Sequence, residues 1–341
     1  MANATKLCFD VTIIGGGPTG LFSAFYAGMR DMTTKIIEAA PFLGGKLPYY
    51  SEKFLYDVGG IAAITAGDLT KQLEKQASTF EPTLVYSQLI EEMERLEDGT
   101  FRLTSNTGEK HLTRSILLTI GFGTLVANKL EVPGAAQYEG HHLHYRPVNV
   151  ERFRDKRVLI SGGGDTAVDW ALALAPLAQF IGIVHRREEF RAHEGNVALL
   201  QKQAVAVMTS SRIKEIYGQD DRIDGVKIER LDTEELTTLE VDEILVCHGS
   251  RPDLGGIKDW GLAIEQDRIL VDAWMQTSVE GIFAAGDVVE YPGKLPGLIA
   301  GGFTEGPAAV NRIKAYLNPR QEVKPIWSTD HAKLSAIHSG S

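Results

Sequence analysis

Two glycine-rich segments contain the residues of this chain that are best suited to bind phosphate. The first, residues 15–20 (GGGPTG), follows the apolar run Val11–Ile14 and precedes a helix-like stretch. Glycines at a strand-to-helix turn let the backbone approach a pyrophosphate, and the N–H groups at the start of the helix attract the anion. We therefore predict a dinucleotide site at this turn, and its residues are Gly15, Gly17, Pro18, Thr19 and Gly20.

The strand-like run after this helix ends in an acid. Glu38 lies 18 residues after Gly20, directly after Lys35-Ile36-Ile37. A carboxylate in this position accepts a hydrogen bond from a ribose 2′-OH and repels a 2′-phosphate. The first site is therefore predicted to bind FAD or NAD rather than NADP, and the alternative is a solvated acid at the end of a strand.

The second glycine segment, residues 162–167 (GGGDTA), begins 147 residues after the first and again joins a strand-like run to a helix-like one. The next strand ends in His185-Arg186-Arg187 instead of an acid, and Arg191 lies four residues further on. Guanidinium groups bind a phosphate dianion through paired, charge-assisted hydrogen bonds. This segment predicts an NADP(H) site; the alternative is a charged helix start whose own glutamates pair with the arginines. The predicted NADP(H) residues are Gly163, Gly164, Asp165, Thr166, His185, Arg186, Arg187 and Arg191.

Apolar β-rich runs alternate with helix-like segments around both turns, which is typical of parallel sheets covered by helices. The predicted fold is α/β with two Rossmann-like dinucleotide-binding domains, the NADPH domain being inserted into the FAD domain. Chain crossings near residues 121–123 and 248–252 assign 1–124 and 252–341 to the FAD domain and 125–251 to the NADP(H) domain.

Three local patterns lead to further expectations. Asp98-Gly99 predicts a hairpin turn between two strands. Residues 301–317 are interpreted as a glycine turn followed by a helix, and the tail 331–341 is expected to lack regular structure.

Composition excludes several classes of function. The chain has 341 residues and a formal net charge of −10, which argues against a general binder of nucleic acid or of membrane surfaces. It has neither a run of 18 apolar residues nor a signal-peptide pattern. Cys8 and Cys247 offer no C-x-x-C, zinc spacing or disulfide framework, so we expect a reduced, cytoplasmic protein.

The histidines give no sign of a metal centre. His141, His142 and His144 have no metal-ligand spacing with nearby acids, so we predict that they lie on the solvated surface. No metal is expected.

The motifs GGGPTG, Glu38, GGGDTA, HRREEFRA and IFAAGD together resemble those of flavoproteins of the thioredoxin reductase type, which have two dinucleotide-binding domains. Thioredoxin reductases carry a C-x-x-C shortly before the second glycine motif, where this chain has residues 143–147 (LHYRP) and no cysteine. The chain is most similar to the cysteine-free branch, the ferredoxin–NADP⁺ reductases of the thioredoxin-reductase-like type. The segments YYSEKFLYDVGG, LHYRPVNVERF and GGGDTAVDWALAL and the aromatic-Ser-Thr at Trp327 carry this similarity, which covers nearly all of residues 8–330.

This resemblance implies which residues lie on the two faces of the flavin. Tyr50 would stack on one face, and Trp327 would cover the other with Ser328 or Thr329 beside the ring; Tyr50, Trp327 and Ser328 are the expected catalytic residues. In the family the C-terminal segment reaches over the partner subunit's flavin, which implies a homodimer. The residues expected around FAD are Gly15, Gly17, Pro18, Thr19, Gly20, Glu38, Gly45, Lys46, Leu47, Tyr50, Asp57, Ile90, Leu125, Gly286, Asp287, Thr304, Trp327, Ser328 and Thr329.

The resemblance also implies separate roles for five of these residues. Ile90, at the end of a strand-like run, would meet the adenine through its backbone, and Leu125 would line the cofactor near the crossing. Asp57 and Asp287 would contact the flavin or its ribityl chain. Thr304 would lie at a glycine-rich helix start near the flavin pyrimidine.

Lys46 departs from the family pattern, which usually has glutamine after the Gly-Gly pair. A cation near the flavin pyrimidine would favour the anionic reduced flavin and raise its potential. The alternative is a solvated lysine.

The implied activity is hydride exchange between NADP(H) and FAD, coupled to one-electron exchange with ferredoxin or a similar small carrier such as flavodoxin. Two alternatives stay open, namely an NADPH diaphorase that reduces quinones or free flavin, and a redox sensor that only binds both dinucleotides. Ferredoxins are usually acidic, so docking would need a local basic patch, for which the candidates are Lys46, Lys53, Arg30 and Lys294.

Overall fold

The computed structural model describes residues 7–145 and 150–339. The chain divides into two compact units, one formed by Met1–Leu125 with Pro252–Ser341 and the other by Val126–Arg251. The first unit is therefore discontinuous in sequence, and the second is inserted into it.

Strands and helices alternate in the N-terminal part of the first unit. Its strands are β1 (Cys8–Phe9), β2 (Val11–Ile14), β3 (Thr34–Ile37), β4 (Phe54–Leu55), β5 (Ile64–Thr65), β6 (Thr83–Val85), β7 (Ile90–Arg95), β8 (Phe101–Ser105), β9 (Lys110–Thr113) and β10 (Ile116–Leu118). Its helices are α1 (Pro18–Met29) and α2 (Ala66–Ala77), with short 3-10 helices at Leu47–Tyr50 and Ser78–Phe80.

The chain enters the second unit through β11 (Thr124–Ala127) and returns through β20 (Ser250–Asp253), which pairs with β11. Between them lie the strands β12 (Leu143–His144), β13 (Arg157–Ser161), β14 (Phe180–Val184), β15 (Val205–Met208), β16 (Ser211–Gln219), β17 (Arg222–Arg230), β18 (Leu236–Glu240) and β19 (Glu243–Val246). The helices are α3 (Ala135–Tyr138), α4 (Asp165–Leu174) and α5 (Glu194–Leu200), with a 3-10 helix at Val150–Phe153.

The C-terminal part of the chain completes the first unit. Its elements are a 3-10 helix at Gly255–Asp259, the strands β21 (Ile264–Glu265), β22 (Arg268–Leu270), β23 (Ile282–Ala284) and β24 (Val289–Glu290), helix α6 (Ile299–Leu317), a 3-10 helix at Ser328–Asp330, and helix α7 (Ala332–Ser339).

The first unit is built on a parallel sheet of order β23-β10-β2-β3-β6. Because side chains alternate along a strand, Val11 and Ile13 of β2 pack with α1, α2 and α6 on one face, whereas Ile14 packs on the other. The strand order reverses at β2, which has β3 on one side and β10 on the other. Ligands of α/β sheets bind in the crevice at the carboxyl ends of such strands.

The second unit repeats this arrangement with a parallel sheet of order β12-β19-β13-β14-β15. Val158 and Ile160 of β13 pack towards α4 and α5, and Leu159 packs towards the antiparallel sheet β16-β17-β18. The predicted α/β class with parallel sheets is therefore confirmed in both units, as is the hairpin turn at Asp98-Gly99 between β7 and β8.

Two local expectations are wrong. Gly301 and Gly302 do not form a turn before a helix but lie inside the first turns of α6. A Cβ at Gly302 would overlap the Thr19 side chain, so this glycine permits the close approach of α6 to α1. The tail also differs from the expectation, because residues Ala332–Ser339 form α7.

Candidate functional site

The first glycine turn is shaped by contacts that exclude side chains. Gly15 has φ +105°, and a Cβ there would lie 2.5 Å from the Thr119 carbonyl oxygen. A Cβ at Gly20 would overlap the Gly15 carbonyl oxygen, and the Thr119 hydroxyl donates to that same oxygen at 2.7 Å. The sequence motif is thus needed for the backbone path of the turn.

The start of α1 fits an anion. Gly17 is its N-cap residue, no side chain caps the helix, and its first turn contains no acid. The first backbone N–H groups of a helix have no partner within the helix. Gly45 lies beside Gly17, since a Cβ on Gly17 would be 3.7 Å from the Gly45 Cα. The first turn of the helix that begins with the predicted residues Pro18 and Thr19 therefore contains no acid of its own that would compete with an anion.

Glu38 lies at the end of β3 and is held by backbone N–H groups. Its Oε2 accepts from Gly16 N–H at 2.7 Å and its Oε1 from Ala40 N–H at 2.9 Å. Each carboxylate oxygen has a second lone pair, so both can still accept a hydroxyl group. Glu38 thus provides a fixed acceptor beside the turn, which fits a dinucleotide with a free 2′-OH.

Ile90 differs from its expected position in a strand. It begins β7 rather than ending a strand, because β6 already ends at Val85. Ile90 is nevertheless close in sequence to Gln88, whose N–H donates to the Glu38 carbonyl at 3.1 Å. The segment that carries Ile90 therefore passes beside the acid at the end of β3.

The third side of this crevice comes from the C-terminal part of the unit. A Cβ on Gly286, which has φ +87°, would lie 3.0 Å from the Thr19 hydroxyl oxygen. The Asp287 carboxylate accepts from Gly297 N–H at 2.7 Å. The structure thus brings the predicted residues Gly286 and Asp287 to the start of α1, although they are more than 260 residues away in sequence.

Tyr50 and the two aspartates form one electrostatic group. Tyr50 ends the 3-10 helix Leu47–Tyr50 and is half-buried. Burial, followed by the charges of Asp287 and Asp57, raises the pKa of the Tyr50 phenol. Tyr50 therefore keeps its proton at neutral pH and presents a neutral ring next to two acids.

Lys46, Leu47 and Thr304 have different surroundings. The Lys46 ammonium lies 3.8 Å from the centroid of the Phe122 ring, a cation–π distance. Leu47 is buried in the core, and Thr304 is exposed on α6. Leu125 lies in β11, and its side chain is outside the described part of the structure.

The segment with Trp327, Ser328 and Thr329 is anchored at the opposite end of α1. The Arg30 guanidinium, just beyond α1, donates to the Lys324 carbonyl at 2.7 Å. His331 contacts the ring of Phe80, 5.1 Å between centroids, and Phe80 packs on Gly28 near the end of α1. The 12 residues of α1 span about 18 Å at ~1.5 Å per residue. Trp327, 62% exposed, therefore belongs to a segment anchored one helix length from the glycine turn.

The second glycine turn is closely packed at its first two glycines and open at the third. A Cβ on Gly162 would lie 2.5 Å from the Cys247 carbonyl oxygen, and one on Gly163 would overlap the His185 ring. Gly164, the N-cap residue of α4, has open space in the same direction, and no side chain caps that helix. The anion site of this unit is therefore open at Gly164.

The predicted arginines lie on the loop between β14 and α5. Arg186, Arg187 and Arg191 are exposed, and Arg191 N–H donates to the Gly163 carbonyl at 2.7 Å, which ties the arginine loop to the turn. Asp165 and Thr166 are also exposed, and the Asp165 carboxylate accepts from His193 N–H at 2.8 Å. The Asp165 carboxylate thus already binds the start of α5.

His185 is a packing residue of the second turn. Its ring is buried, stacks on Phe190 at 5.5 Å and bonds the Glu189 carbonyl at 3.1 Å. Burial, and then the neighbouring arginines, lower the pKa of His185 against the opposing effect of the carbonyl. It is therefore neutral at pH 7, and the arginines supply the positive charge.

Two groups were not recognised in the sequence. Glu305 of α6 forms a buried ion pair with Lys294, so Lys294 is wrong as a candidate for a basic surface patch.

His144, predicted on the solvated surface, is only 10% exposed and bonds Glu243 at 2.7 Å, 99 residues along the chain. No local pattern joins such distant partners.

The described residues form neither a metal-ligand cluster nor a membrane-spanning helix. Within residues 7–145 and 150–339, no three His, Cys, Asp or Glu side chains come together as metal ligands would. Of the helices in the part of the chain that the structure describes, none has the length and apolarity of a membrane span.

Comparisons with known proteins point to one family. A family model described as pyridine nucleotide-disulphide oxidoreductase matches residues 9–311. The chain is 49% identical to ferredoxin–NADP reductase 1 of Bacillus velezensis, over 96% of this chain and 97% of that protein. It is 45% identical to ferredoxin–NADP reductase 2 of Bacillus subtilis, over 96% and 98% respectively.

Solved structures give the same architecture. The thioredoxin reductase of Lactococcus lactis has a TM-score of 0.73 at 27% identity, covering 91% of this chain and 99% of its own. The thioredoxin reductase of T. acidophilum has a TM-score of 0.72 at 23% identity, covering 92% and 99%.

Proposed function

The chain belongs to the pyridine nucleotide-disulphide oxidoreductase family, and on this premise we propose that it transfers electrons between NADP(H) and a ferredoxin through bound FAD. The family, the enzymatic function and the cofactors FAD and NADP(H) agree with the sequence prediction, which is confirmed. The observation that carries the proposal is the contrast between two glycine turns of opposite charge in a chain without a dithiol. Ferredoxin is proposed as the partner because relatives of the chain bear the name ferredoxin–NADP reductase.

We propose that the first unit holds FAD. The start of α1 would bind the pyrophosphate, Glu38 would accept the ribose hydroxyls, and the Ile90 backbone would meet the adenine. Tyr50 would cover one face of the flavin, with Asp57 and Asp287 close to the ring or the ribityl chain. The acid-free start of α1 and the clustering of Tyr50 with both aspartates support this assignment.

We propose that the second unit holds NADP(H). The start of α4 would bind the pyrophosphate at Gly164, and Arg186, Arg187 and Arg191 would bind the 2′-phosphate. Their exposure leaves the guanidinium groups available to such a ligand. The backbone bond from Arg191 to Gly163 supports a fixed distance between the phosphate clamp and the turn.

Electrons would leave directly from the flavin. FAD supplies the link between a two-electron hydride donor and a one-electron carrier. A dithiol relay needs two adjacent thiols, but the only cysteines are Cys8 in the first unit and Cys247 in the second. Burial raises the pKa of the Cys247 thiol to about 12, so it does not form the reactive thiolate at neutral pH.

We propose a homodimer in which the segment with Trp327 reaches the partner subunit's flavin. Both anchors of this segment lie at the end of α1 that is distant from the glycine turn. We therefore expect Trp327 to reach the flavin of the partner subunit more easily than the flavin of its own chain. The exposed Trp327 side chain offers a ring for stacking. We expect this dimer to lie in the cytoplasm, since the chain contains no disulfide framework.

The docking site for an acidic carrier would draw on fewer cations than expected from sequence. Lys294 is buried and neutralised by Glu305, so it is not available to a partner. Of the four candidates, Arg30, Lys46 and Lys53 remain, and Lys46 and Lys53 are exposed on the first unit. Steering by such charges would make ferredoxin reduction faster at low salt.

The test is an anaerobic titration of the holoenzyme with NADPH, followed by steady-state rates with ferredoxin, flavodoxin, a quinone and free flavin. We expect flavin bleaching, and a kcat/KM for ferredoxin about 10-fold or more above the other acceptors. The control variant Cys8→Ser with Cys247→Ala should keep these rates. Absence of bleaching would favour the redox sensor, and a higher kcat/KM with quinone would favour the diaphorase.

A further inference from the structure

A buried ion pair lies under the loop that leads from the β24 region to α6. Lys294 Nζ lies 2.5 Å from Glu305 Oε1, and the two side chains are 1% and 4% exposed. The Tyr291 hydroxyl donates to the same Oε1 at 2.9 Å. The second carboxylate oxygen, Oε2, accepts from Gly286 N–H at 2.7 Å. Both oxygens of Glu305 are thus occupied by donors from a single loop.

The partners of Glu305 compensate its buried negative charge. A buried carboxylate is costly unless it is paired and hydrogen-bonded, and Glu305 meets both conditions. Burial, and then the hydrogen bond to the Glu305 carboxylate, raise the pKa of the Tyr291 phenol to about 12. Tyr291 therefore stays a donor over the whole physiological pH range, and Lys294 supplies the compensating charge.

The ion pair is connected to the cofactor crevice through one peptide. Gly286 has φ +87°, and its N–H is the group that Glu305 holds. Asp287 follows directly, and its carboxylate accepts from Gly297 N–H at 2.7 Å near the other end of the same loop. The backbone at Gly286 is thus fixed by Glu305, and the side chain of Asp287 is fixed across the loop.

We propose that Glu305 and Lys294 are positioning residues for FAD: their buried ion pair holds the Gly286 peptide and thereby sets the place of the Asp287 carboxylate. This inference rests on the assignment of Asp287 to the FAD site made above. Neither side chain reaches the cofactor. Their role is to keep the loop closed over α6, with no unpaired charge beneath it.

The test measures the rate at which the holoenzyme releases FAD, followed by the rise in free-flavin fluorescence, together with the visible spectrum of the bound flavin. Lys294→Met leaves the Glu305 carboxylate buried without its cation, so we expect FAD release about 10-fold faster or more. The double variant Lys294→Met with Glu305→Gln buries no charge, and its amide oxygen can still accept from Gly286 N–H. We expect release within about 3-fold of the wild-type rate for this variant.

A control is the more exposed ion pair of Arg114 with Asp10, 2.8 Å apart at the opposite end of the same sheet. Arg114→Met should leave FAD release unchanged. Thermal unfolding in saturating FAD measures the stability of each variant, to which FAD binding contributes. If Lys294→Met lowers this stability but leaves FAD release and the flavin spectrum unchanged, the pair is structural and the positioning role is wrong.

Two further outcomes separate this inference from the site assignment. Asp287→Asn should accelerate FAD release if Asp287 meets the cofactor. If it does not, the site assignment fails, and the inference that depends on it fails as well. If Asp287→Asn accelerates release while the double variant is as fast as Lys294→Met alone, the site stands but charge pairing is not what positions it.

Discussion

The two glycine turns have the same backbone arrangement in two different chemical settings. In the first unit the strand after the turn ends in Glu38, whose carboxylate is bound to Gly16 N–H. In the second unit the equivalent position is His185, whose ring lies where a side chain of Gly163 would be. The first unit thus fixes its selecting group by hydrogen bonds, and the second fills that space with a neutral ring and leaves its arginines in solvent.

On the proposed function, the difference between the two turns would determine dinucleotide selectivity. The glycines and the helix start are common to both sites and would recognise only the shared pyrophosphate. A fixed acceptor suits two neutral hydroxyls, which need correct placement rather than charge. Mobile guanidinium groups suit a phosphate dianion, which attracts them electrostatically and can be bound by more than one. The selecting residues should therefore be separable by substitution.

The largest effect is expected from removing the positive charge of the second site. Arg186→Ala with Arg187→Ala should raise the KM for NADPH about 100-fold, because two charge-assisted contacts to the 2′-phosphate are lost. The KM for NADH should change little, since NADH has no such phosphate. Steady-state kinetics with both nucleotides measure this ratio, and Arg212→Ala, which breaks an exposed pair with Glu229, is the control. An equal loss with NADPH and NADH would contradict the assignment.

A smaller effect is expected at the first site. Glu38→Gln keeps the side-chain shape but replaces one acceptor oxygen with a donor, so FAD release from the holoenzyme should become about 10-fold faster. The KM for NADPH should stay as in the wild type. Flavin fluorescence during dilution measures the release, and Glu265→Gln, on β21 of the same unit, is the control. An unchanged release rate would mean that Glu38 only stabilises the turn.

A substitution at Trp327 in the C-terminal segment should affect the reaction with NADPH more than the binding of FAD. One flavin face cannot hold both a fixed aromatic ring and the nicotinamide, so a ring at Trp327 must move before hydride transfer. Trp327→Ala should change NADPH turnover several-fold and leave the FAD content unchanged. Stopped-flow flavin reduction and the ratio of flavin to protein absorbance test this. Loss of FAD alone would show that Trp327 holds the cofactor rather than covering the nicotinamide face.

The smallest effect concerns Lys46. An exposed cation near the flavin stabilises the anionic reduced form only weakly, so Lys46→Gln should lower the two-electron flavin potential by about 10–20 mV. Spectroelectrochemical titration is sensitive enough for this shift. Lys110→Gln, in β9 of the same unit, is a control that should leave the potential unchanged. If both variants have the flavin potential of the wild type, Lys46 contacts the Phe122 ring but does not act on the flavin.

Local elements of the fold were predictable because their signals are contiguous in sequence. The strand Val11–Ile14 has the predicted bounds, since it is an apolar run directly before a glycine turn. Gly301 and Gly302 were misinterpreted for the same reason: a glycine pair normally indicates a turn. Only the approach of α6 to Thr19, which requires the fold, shows that Gly302 serves packing.

The candidate site was predictable only where a motif carried it. Glu38 and the arginines follow recognisable strands, and charge and spacing assign them binding roles that stay predictions. Glu305 and Lys294 could not, because nothing in residues 294–305 shows that both side chains turn inwards to meet. His144 was likewise placed on the surface, since its partner Glu243 arrives from β19, 99 residues later.

The insertion of one unit into the other also orders events during synthesis. The second unit is complete once residue 251 has been made, whereas the first still lacks β23 at one edge of its sheet and α6. Domains tend to fold as units while the chain emerges from the ribosome. The nested unit can therefore fold first and bring the two halves of its host together through the paired strands β11 and β20. If the first unit binds FAD, as proposed, stable capture of the cofactor has to wait for the last quarter of the polypeptide.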